Sequence, residues 1–339
     1  MPRGRTKNRI WFCKILSMGL VLILTNSCLK SDPEQLPVVL TTEVTNLWPA
    51  NVRISGKITS NGGSRLSEQG FCLSEEHLPD ISDNKIKTGF RCICPYSIMV
   101  TGLSPQTDYY VRAYATNSNG TAYGAELPFT TPADHTGEKG TVEDSDGNVC
   151  QTIGIGAQIW MAENLKTTRY SNGDPIGTTI PATMELPEDL THKYQWAYGG
   201  DESNVAAYGR LYTWDAATDS RNVCPAGWHV FSNDDWSTLL IFLGESDDTG
   251  GKLKEEGTTH WQSPNTGATN ETGFSALPGG GRDGKGAFYG LGYGGFWWSS
   301  SESTTTLAFY RALNHDSGTI YNYSIYKYYG LSVRCLKNP

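Results

Sequence analysis

The chain has 339 residues, with 27 basic and 35 acidic side chains and a formal net charge of −8 at pH 7. Five of the basic residues and none of the acidic ones lie in the first 27 positions, so the remainder has 22 basic and 35 acidic residues, a net charge of −13. This acidic balance excludes an electrostatic footprint for nucleic acid. The remaining length, about 310 residues, corresponds to two ordinary domains.

The N-terminus has the parts of a secretory signal peptide. Five basic side chains precede an apolar run at 15–24, and small and polar residues then lead to Cys28. The apolar run is shorter than the ~20 residues of a membrane-spanning helix, so a signal cleaved after position 27 is favoured over a retained helix. An ordinary signal peptide with a coincidental cysteine is the alternative.

The residues before the cleavage position resemble the lipobox of bacterial lipoproteins in the looser form of Bacteroidetes-type bacteria. The matching residues are Leu24, Thr25, Asn26, Ser27 and Cys28. The resemblance implies lipidation of Cys28 and a short tether over 28–36, so that the protein is held at the membrane by acyl chains. Residues 30–34 are similar to the export tag of outward-facing lipoproteins. We therefore expect a lipid-anchored protein of the outer membrane, exposed at the cell surface.

Residues 37–132 show the alternation of apolar and polar side chains that is typical of β-strands. Strands are predicted at 38–44, 52–56, 70–73, 96–100 and 109–115. Short strands separated by turn residues favour a β-sandwich. A polar linker follows at 133–140.

The segment 103–117 resembles a fibronectin type III domain, through Leu-Ser-Pro-Gln-Thr-Asp-Tyr and the alternation that follows. The resemblance implies that the hydroxyl of Tyr109 contacts backbone upstream, as in a tyrosine corner, and that Trp48 is a core residue. Cys72 is interpreted as a packed thiol or one half of a bridge. Cys92 and Cys94 are too closely spaced for a zinc knuckle.

Residues 141–339 hold eight of the ten tryptophans and more glycine, which indicates a different domain. A helix is predicted at 233–243, with Ser232 and Asp235 forming a capping box and Gly244 ending it. Its apolar face is Trp236, Leu239, Leu240 and Leu243. Calcium binding by Asp234 and Asp235 is the less favoured alternative, because acids in the first helical turn already interact favourably with the helix dipole.

Two further motifs in this part are interpreted as turns. Residues 144–148 resemble the start of a calcium loop, but Ile155 stands where the closing glutamate is needed, so a hairpin turn is favoured. Residues 290–295 spell GxGxxG without a surrounding βαβ unit, which favours a glycine-rich loop over a dinucleotide site. The six histidines lack the spacing of a zinc hydrolase, and His229, beside Trp228, is interpreted as a buried hydrogen-bonding residue and not as a base. No metal or other cofactor is predicted.

The order of several segments in 141–339 resembles the Fibrobacter succinogenes major paralogous domain family, also called FISUMP. These segments are 144–165, 208–217, 224–230, 295–300 and 331–335. The resemblance implies an exported protein with an α+β, C-type-lectin-like fold and attaches no firm activity. The expected fold class is thus a β-rich two-domain protein, a fibronectin type III-like β-sandwich followed by a C-type-lectin-like domain.

Cys224 and Cys335 both lie in segments that carry this resemblance, and an oxidising compartment permits a disulfide between them. The bridge would close a loop of roughly 110 residues and stabilise the fold by about 4–5 kcal/mol in the chain-entropy model. A catalytic cysteine pair, as in formylglycine-generating enzymes, is the alternative. The pairing of Cys72, Cys92, Cys94 and Cys150 stays open.

Aromatic residues are concentrated near the C-terminus. Trp297 and Trp298 are expected in the core. The candidate binding residues are Tyr321, Tyr323, Tyr326, Tyr328 and Tyr329. Exposed tyrosines give broad amphipathic contact at low entropic cost, which suits sugars or protein loops.

The favoured function is a non-enzymatic surface binding or adhesion module, bound to the membrane by its lipid and carrying an unidentified glycan or protein ligand. One alternative is an enzyme of glycan or protein modification on a formylglycine-generating-like fold, for which Glu163, Asp215 and Glu302 are the acids to examine first. The other is a purely structural envelope protein. The calcium-binding motifs of lectins, Glu-Pro-Asn or Gln-Pro-Asp with Trp-Asn-Asp, do not occur in the sequence.

Overall fold

The computed structural model describes residues 35–45, 47–89, 91–188, 191–244 and 246–339. The predicted signal peptide and Cys28 lie outside the described residues, and their assignment stays a prediction. No helix within those ranges has the length and apolar character needed to cross a membrane.

The first part of the described chain consists of short strands, which include every strand predicted from the alternation. They are β1 (Val38–Thr45), β2 (Asn51–Ser60), β3 (Glu68–Ser74), β4 (Asn84–Lys87), β5 (Pro95–Thr101), β6 (Asp108–Asn117), β7 (Gly120–Tyr123) and β8 (Leu127–Thr130). The sequence did not predict β4, β7 and β8, because strands of four residues are too short to show a clear period of two.

These strands form two antiparallel sheets, one with the order β1-β2-β5 and one with the order β4-β3-β6-β7, in which β8 also pairs with β6. Alternate side chains from both sheets meet in one buried cluster. Its fully buried members include Val52, Ile54, Ile58, Phe71, Val111, Ala113 and Ala115. Two sheets that enclose a shared core make the β-sandwich that the spacing predicts.

Tyr109 makes the contact that the fibronectin type III resemblance implies. Its hydroxyl accepts a hydrogen bond of 3.1 Å from the backbone N–H of Ser104, and its ring stacks on Phe129 with centroids 5.6 Å apart. Trp48 is buried, as expected. Cys72 is a buried free thiol, and burial raises its pKa to about 12. It is therefore a packed thiol and not one half of a bridge.

Glu68 at the start of β3 is the centre of a polar cluster on the outer face of its sheet. Its carboxylate lies 2.7 Å from Lys87 Nζ and 3.1 Å from Lys85 Nζ, and it accepts a hydrogen bond of 2.8 Å from the Tyr114 hydroxyl. The hydrogen bond from Lys87, followed by that from Tyr114, lowers the pKa of Glu68 to about 2. The folded state therefore stabilises the charged form of this carboxylate.

The remaining described chain is also rich in strands and has short helices. The strands are β9 (Lys139–Glu143), β10 (Val149–Ile155), β11 (Gln158–Met161), β12 (Gln195–Trp196), β13 (Leu211–Tyr212), β14 (Trp228–Val230), β15 (Gly279–Arg282), β16 (Phe288–Leu291), β17 (Gly294–Glu302), β18 (Leu307–Asn314), β19 (Tyr321–Tyr326), β20 (Leu331–Ser332) and β21 (Cys335–Lys337). The α-helices are α1 (Val205–Tyr208), α2 (Trp214–Ala217) and α3 (Asn233–Leu243).

These strands form two more sheets. One has the order β14-β21-β11-β10-β9, and the other has the order β12-β13-β20-β17-β15-β16, with β18 paired to β17 and β19 paired to β18. Trp297 and Trp298 are neighbours on β17 and are both fully buried, which confirms their predicted place in the core. Because successive side chains of a strand point to opposite faces, the two rings enter different core clusters.

The predicted pairing of Cys224 with Cys335 is present as a disulfide between two fully buried residues. It joins β21 to the segment before β14 across a sequence separation of 111 residues. Cys150 is a buried free thiol in the same cluster. A second disulfide links Cys92 and Cys94.

The predicted helix is α3, and its ends are those that the sequence indicates. The Ser232 hydroxyl accepts a hydrogen bond from the Asp235 N–H at 3.2 Å, and the Asp235 carboxylate accepts one from the Ser232 N–H at 2.8 Å, which completes the capping box. Gly244 follows with a φ of +79°, a value that favours glycine. Trp236 and Leu239 are the buried part of the apolar face.

Between α3 and β15 the chain has little regular structure, and a buried lysine holds part of it together. Lys254 is fully buried, and its ammonium lies 5.3 Å from the ring centroid of Trp261. Its three donated hydrogen bonds end on the carbonyls of Thr266 at 2.8 Å, Asn314 at 3.1 Å and Ser317 at 2.9 Å. The ammonium thus ties this segment to the end of β18 and the turn beyond it, and it gives these backbone carbonyls a donor inside the protein.

The Glu68 cluster makes unfolding depend on pH in a defined range. A carboxyl whose pKa is lowered in the folded state contributes stability above its unfolded pKa, near 4.5, and that contribution is lost as the pH falls to about 2. Glu68→Gln is expected to reduce the free energy of unfolding by about 1 kcal/mol at pH 7. The difference from the wild type should shrink towards zero between pH 4.5 and pH 2. Denaturant unfolding at several pH values measures it.

The exposed Glu75, one position beyond β3, provides the control through Glu75→Gln. This variant should follow the wild type at every pH. A Glu68→Gln difference that stays constant down to pH 2 would contradict the cluster's role.

Candidate functional site

The five tyrosines predicted as a binding surface fall into two groups. Tyr321 and Tyr323 lie on β19, with their rings stacked at 5.5 Å, and Tyr323 also lies 6.0 Å from Tyr310 of β18. The other three follow at the end of β19 and in the turn beyond it. The structure therefore brings together Tyr326, Tyr328 and Tyr329, while Tyr321 and Tyr323 form a separate pair.

The second group is a compact cluster of rings. The centroids of Tyr326 and Tyr328 are 5.2 Å apart, and those of Tyr328 and Tyr329 are 5.5 Å apart. Tyr326 is 44% exposed, whereas Tyr328 is only 9% exposed because it packs with Leu186 and Trp196. The prediction that Tyr328 lies on the surface is therefore wrong. The buried ring of Tyr328 stacks against the exposed ring of Tyr326 and supports it.

These tyrosines line a cleft of about 320 Å³, which we name the tyrosine–carboxylate cleft. Its other lining residues are Glu185, Leu186, Glu188, Asp283, Gly284 and Lys285. Three carboxylates therefore face aromatic rings, with a single lysine among them. Such a surface favours ligands with hydrogen-bond donors or positive charge.

One hydrogen bond links the aromatic and acidic sides of the cleft. The hydroxyl of Tyr328 donates to Glu188 Oε1 at 3.1 Å. Burial, reinforced by this hydrogen bond to Glu188, raises the pKa of Tyr328 to about 12. The hydroxyl therefore remains protonated at neutral pH and holds Glu188 in place as a hydrogen-bond acceptor.

A second cleft of about 290 Å³ adjoins the first and shares Glu188 and Tyr328 with it. Asp215, in the first turn of α2, lies in this second cleft with Lys327. Burial raises the pKa of Asp215, and the positive charge of Lys327 opposes that effect. Lys327 Nζ donates to Glu302 Oε1 at 2.7 Å and lies 4.3 Å from the ring centroid of Trp214.

Two of the three acids singled out in the sequence therefore lie beside one lysine. Asp215 and Glu302 both interact with Lys327. Glu163 lies elsewhere, where its carboxylate accepts a hydrogen bond of 3.0 Å from the Gln151 N–H and pairs with Lys166. Its partners give Glu163 a structural role beside β10.

Arg282, at the end of β15, holds the walls of the cleft together, and no motif in the sequence points to it. Its guanidinium is fully buried and donates to backbone carbonyls of the segment that precedes Glu188. These acceptors are Ala182 O at 3.0 Å and Met184 O, with Asp283 O at 3.0 Å completing the set. The guanidinium carbon also lies 4.2 Å from the ring centroid of Trp196.

The backbone of Arg282 holds the opposite wall. Its N–H donates to Gly330 O and its carbonyl accepts from the Gly330 N–H, both at 2.8 Å. Gly330 directly follows the turn that contains Tyr328 and Tyr329, which we name the tyrosine turn. Next to it, the Leu186 N–H donates to Gly284 O at 2.8 Å. Arg282 therefore fixes the acidic wall with its side chain and the aromatic wall with its backbone. A lone arginine after three glycines is not a recognisable motif, so the sequence could not reveal this role.

The other motifs have structural explanations. Asp144 Oδ1 accepts hydrogen bonds from the backbone N–H groups of Asp146 at 3.0 Å and Asn148 at 2.9 Å, within the turn between β9 and β10. Gly290 and Gly292 have φ values of +74° and +83° and belong to the end of β16 and the turn before β17. Within the described ranges, no group of three His, Cys, Asp or Glu side chains is arranged to hold a metal ion.

His229 differs from its prediction as a buried hydrogen-bonding residue. Its side chain is 35% exposed, and its ring nitrogens lie 2.7 Å from Asn338 Oδ1 and 3.2 Å from Asp235 Oδ2. Because β14 is at the edge of its sheet, the ring reaches the surface while keeping these partners. The hydrogen bonds are present, but the burial is not.

Substitution of Arg282 tests whether one residue holds both walls of the cleft. Arg282→Met leaves the carbonyls of Ala182 and Met184 without their donor, so we expect a loss of about 2–4 kcal/mol in the free energy of unfolding. Amide exchange of Leu186 should accelerate by at least tenfold. Hydrogen exchange resolved by residue measures both effects. Arg53→Met, at an exposed position of β2, is the matched control, and unchanged exchange at Leu186 in Arg282→Met would contradict the anchoring role.

Comparisons with known proteins assign the larger part of the chain to a family. Among curated proteins, no significant match is found. Among solved structures, the chain is similar to the sensor domain of the anti-sigma factor RsgI4 of Pseudobacteroides cellulosolvens, with 17% identity, 28% of this chain and 93% of that chain covered, and a TM-score of 0.22. The family model described as the Fibrobacter succinogenes major domain matches residues 153–337, more than half of the chain. The chain therefore belongs to the Fibrobacter succinogenes major domain family.

Proposed function

We propose that the protein is a non-enzymatic binding or adhesion module of the cell envelope, anchored by lipid at Cys28. In this proposal residues 37–132 form a fibronectin type III-like stalk, and the C-type-lectin-like domain that follows presents the ligand site. The tyrosine–carboxylate cleft is the single observation that carries the proposal. It combines exposed aromatic surface with hydrogen-bond acceptors in a concave site, and ligand sites use aromatic contacts and a few polar groups to hold and orient a ligand.

The chemistry of the cleft favours a glycan or a protein loop as the ligand. A tyrosine ring contributes amphipathic contact with few rotatable bonds, so its ordering costs little entropy. Glu185, Glu188 and Asp283 accept hydrogen bonds from sugar hydroxyls, backbone amides or cationic side chains. The buried Tyr328 and the anchored backbone on both sides preorganise the site, which reduces the entropic cost of binding.

The negative net charge supports a protein that stays in the aqueous phase outside the membrane. The net charge of −13 beyond the predicted signal disfavours electrostatic attraction to anionic lipid, so the proposed lipid is the element that holds the protein at the membrane. The three carboxylates of the cleft belong to this acidic surface.

An enzyme is the second candidate, and one observation favours it. Burial raises the pKa of Asp215, and Asp215 shares the smaller cleft with Glu188. Glycan hydrolysis uses a carboxyl with a raised pKa as the acid and a second carboxylate in the same cleft. Asp215→Asn separates the candidates, because hydrolysis of a bound glycan would be abolished whereas simple binding would persist.

Loss of the exposed ring should weaken binding. On arrays of glycans and of extracellular-matrix proteins, with and without calcium, Tyr326→Ala is expected to reduce binding about 10- to 100-fold, the usual effect of removing an aromatic anchor. Tyr293→Ala is the matched control, because Tyr293 is 54% exposed and lies outside the cleft. Equal binding by wild type and Tyr326→Ala would exclude the cleft, and a wild type that binds neither array would favour a structural envelope protein.

The anchor has its own test. Cells fed a palmitate analogue should label the wild-type protein, and Cys28→Ala should take up no label and appear in the soluble fraction. Cys72→Ala is the matched control and should label like the wild type. Labelling of Cys28→Ala would show that the lipid is attached elsewhere or that the signal is of another class.

A further inference from the structure

The two disulfides among the described residues lie in contrasting surroundings. Cys224 and Cys335 are fully buried. Cys92 and Cys94 are partly exposed and lie on the segment that connects β4 to β5. Only the second pair is therefore directly accessible to an external thiol.

The loops that the two bridges close also differ. Cys224 and Cys335 are separated by 111 positions, whereas Cys92 and Cys94 are separated by two. In the chain-entropy model, a bridge stabilises the folded state more as the loop it closes becomes longer. Reduction of Cys92–Cys94 thus releases little chain entropy, and the fold does not depend on this bridge.

Cys92 and Cys94 both line a cavity of about 820 Å³. Together with both cysteines, it is lined by Thr42, Ser55, Lys57, Arg91, Pro95 and Tyr96. Tyr96 is a fixed wall, because its hydroxyl donates to Gly70 O at 3.2 Å and its ring lies 5.0 Å from Phe71. The cavity gives a thiol and its carrier room to approach the bridge.

The backbone at both cysteines is held by the sandwich. The Cys92 N–H donates to Oε1 of the buried Gln69 at 2.9 Å, and the Cys94 carbonyl accepts from the Ile58 N–H at 3.2 Å. Neither hydrogen bond involves a sulfur atom. Both can therefore persist when the bridge opens, which keeps the two sulfurs close enough to close it again.

The charges that line the cavity favour exchange chemistry. Lys57 and Arg91 are exposed cations on its wall, and nearby cations stabilise the thiolate that leaves when a disulfide is attacked. Cys72, the other cysteine of the sandwich, is buried, and its raised pKa keeps it protonated and unreactive. The exposed pair is therefore the reactive one in this part of the chain.

We propose that Cys92–Cys94 is a reversible redox site that exchanges with thiolates entering the adjoining cavity. A thiolate attacks one cysteine sulfur, forms a mixed disulfide and displaces the other cysteine as a thiolate. A second thiolate then attacks the mixed disulfide at the incoming sulfur and releases the first cysteine. In total, two thiols are oxidised to one disulfide, and their two protons and two electrons leave both cysteines as thiols. This site is independent of the tyrosine–carboxylate cleft.

The test compares the two disulfides in the same full-length protein. The protein is equilibrated with graded glutathione, or in a second arm with a reduced cysteine-containing peptide, then alkylated and analysed by peptide mass spectrometry. Cys92 and Cys94 should become alkylated at a thiol concentration at least tenfold below that needed for Cys224 and Cys335. Circular dichroism should stay unchanged over that range. Exchange in either arm supports the proposal, and the arms distinguish small thiols from polypeptide thiols.

A charge variant tests the role of the cavity. Lys57→Gln with Arg91→Gln should slow reduction of Cys92–Cys94 at pH 7 about two- to tenfold, because the leaving thiolate loses its neighbouring cations. Arg53→Gln, on the same strand as Lys57 and also exposed, is the control. The proposal is overturned if both disulfides are reduced together with loss of circular dichroism, if neither arm reduces Cys92–Cys94, or if the pair stays unbridged in oxidised glutathione.

Discussion

The Fibrobacter succinogenes major domain of this chain depends on hydrogen bonds that buried cations donate to backbone carbonyls. Long stretches between β11 and β12 and between α3 and β15 have no continuous helix or sheet, yet they contribute to the core. Their buried carbonyls need donors that a regular ladder would otherwise supply. Three fully buried cations meet this need, each next to an aromatic ring: Lys254 beside Trp261, Arg282 beside Trp196 and Arg334 beside Phe274. Each such cation donates several hydrogen bonds from one side chain. Loss of one of these side chains therefore leaves several carbonyls unsatisfied at once.

The same interaction explains why the candidate site is where it is. Arg282 belongs to a strand, but its side chain serves an irregular segment and its backbone pairs with Gly330 after the tyrosine turn. The cleft is thus formed by two loops that are both hydrogen-bonded to Arg282. Because Arg282 belongs to a strand, it positions the loop residues of the site more precisely than the loops alone would. Lys327 has a similar place in the smaller cleft, between the ring of Trp214 and the carboxylate of Glu302. Cation–aromatic packing therefore recurs from the core to the surface that we propose as functional.

The sequence predicted features that depend on local pattern and missed those that depend on distant partners. Helix α3, its capping box and the strands with clear alternation follow from residues within a few positions of one another. Alternation does not state which face is buried, however: Val38 and Leu40 are exposed on β1 while Val39 is buried. The grouping of the tyrosines could not be predicted either, because Tyr328 is buried against Leu186 and Trp196, more than a hundred positions away. Arg282 and Glu188 were missed for the same reason, since no short motif contains their partners.

The charges of the cleft restrict the class of the proposed ligand more than the shape of the cleft does. An anionic ligand would have to approach a chain of strong negative charge and enter a site where Glu185, Glu188 and Asp283 outnumber Lys285. Each close contact between like charges in such a partly enclosed site is unfavourable, and the face of an aromatic ring is itself a region of negative potential. A neutral, hydroxyl-rich sugar or a basic peptide segment meets neither obstacle. A basic segment also gains from long-range attraction, which accelerates its association and weakens as salt is added. Salt dependence of binding therefore distinguishes the two remaining ligand classes, because only the basic segment is attracted through net charge.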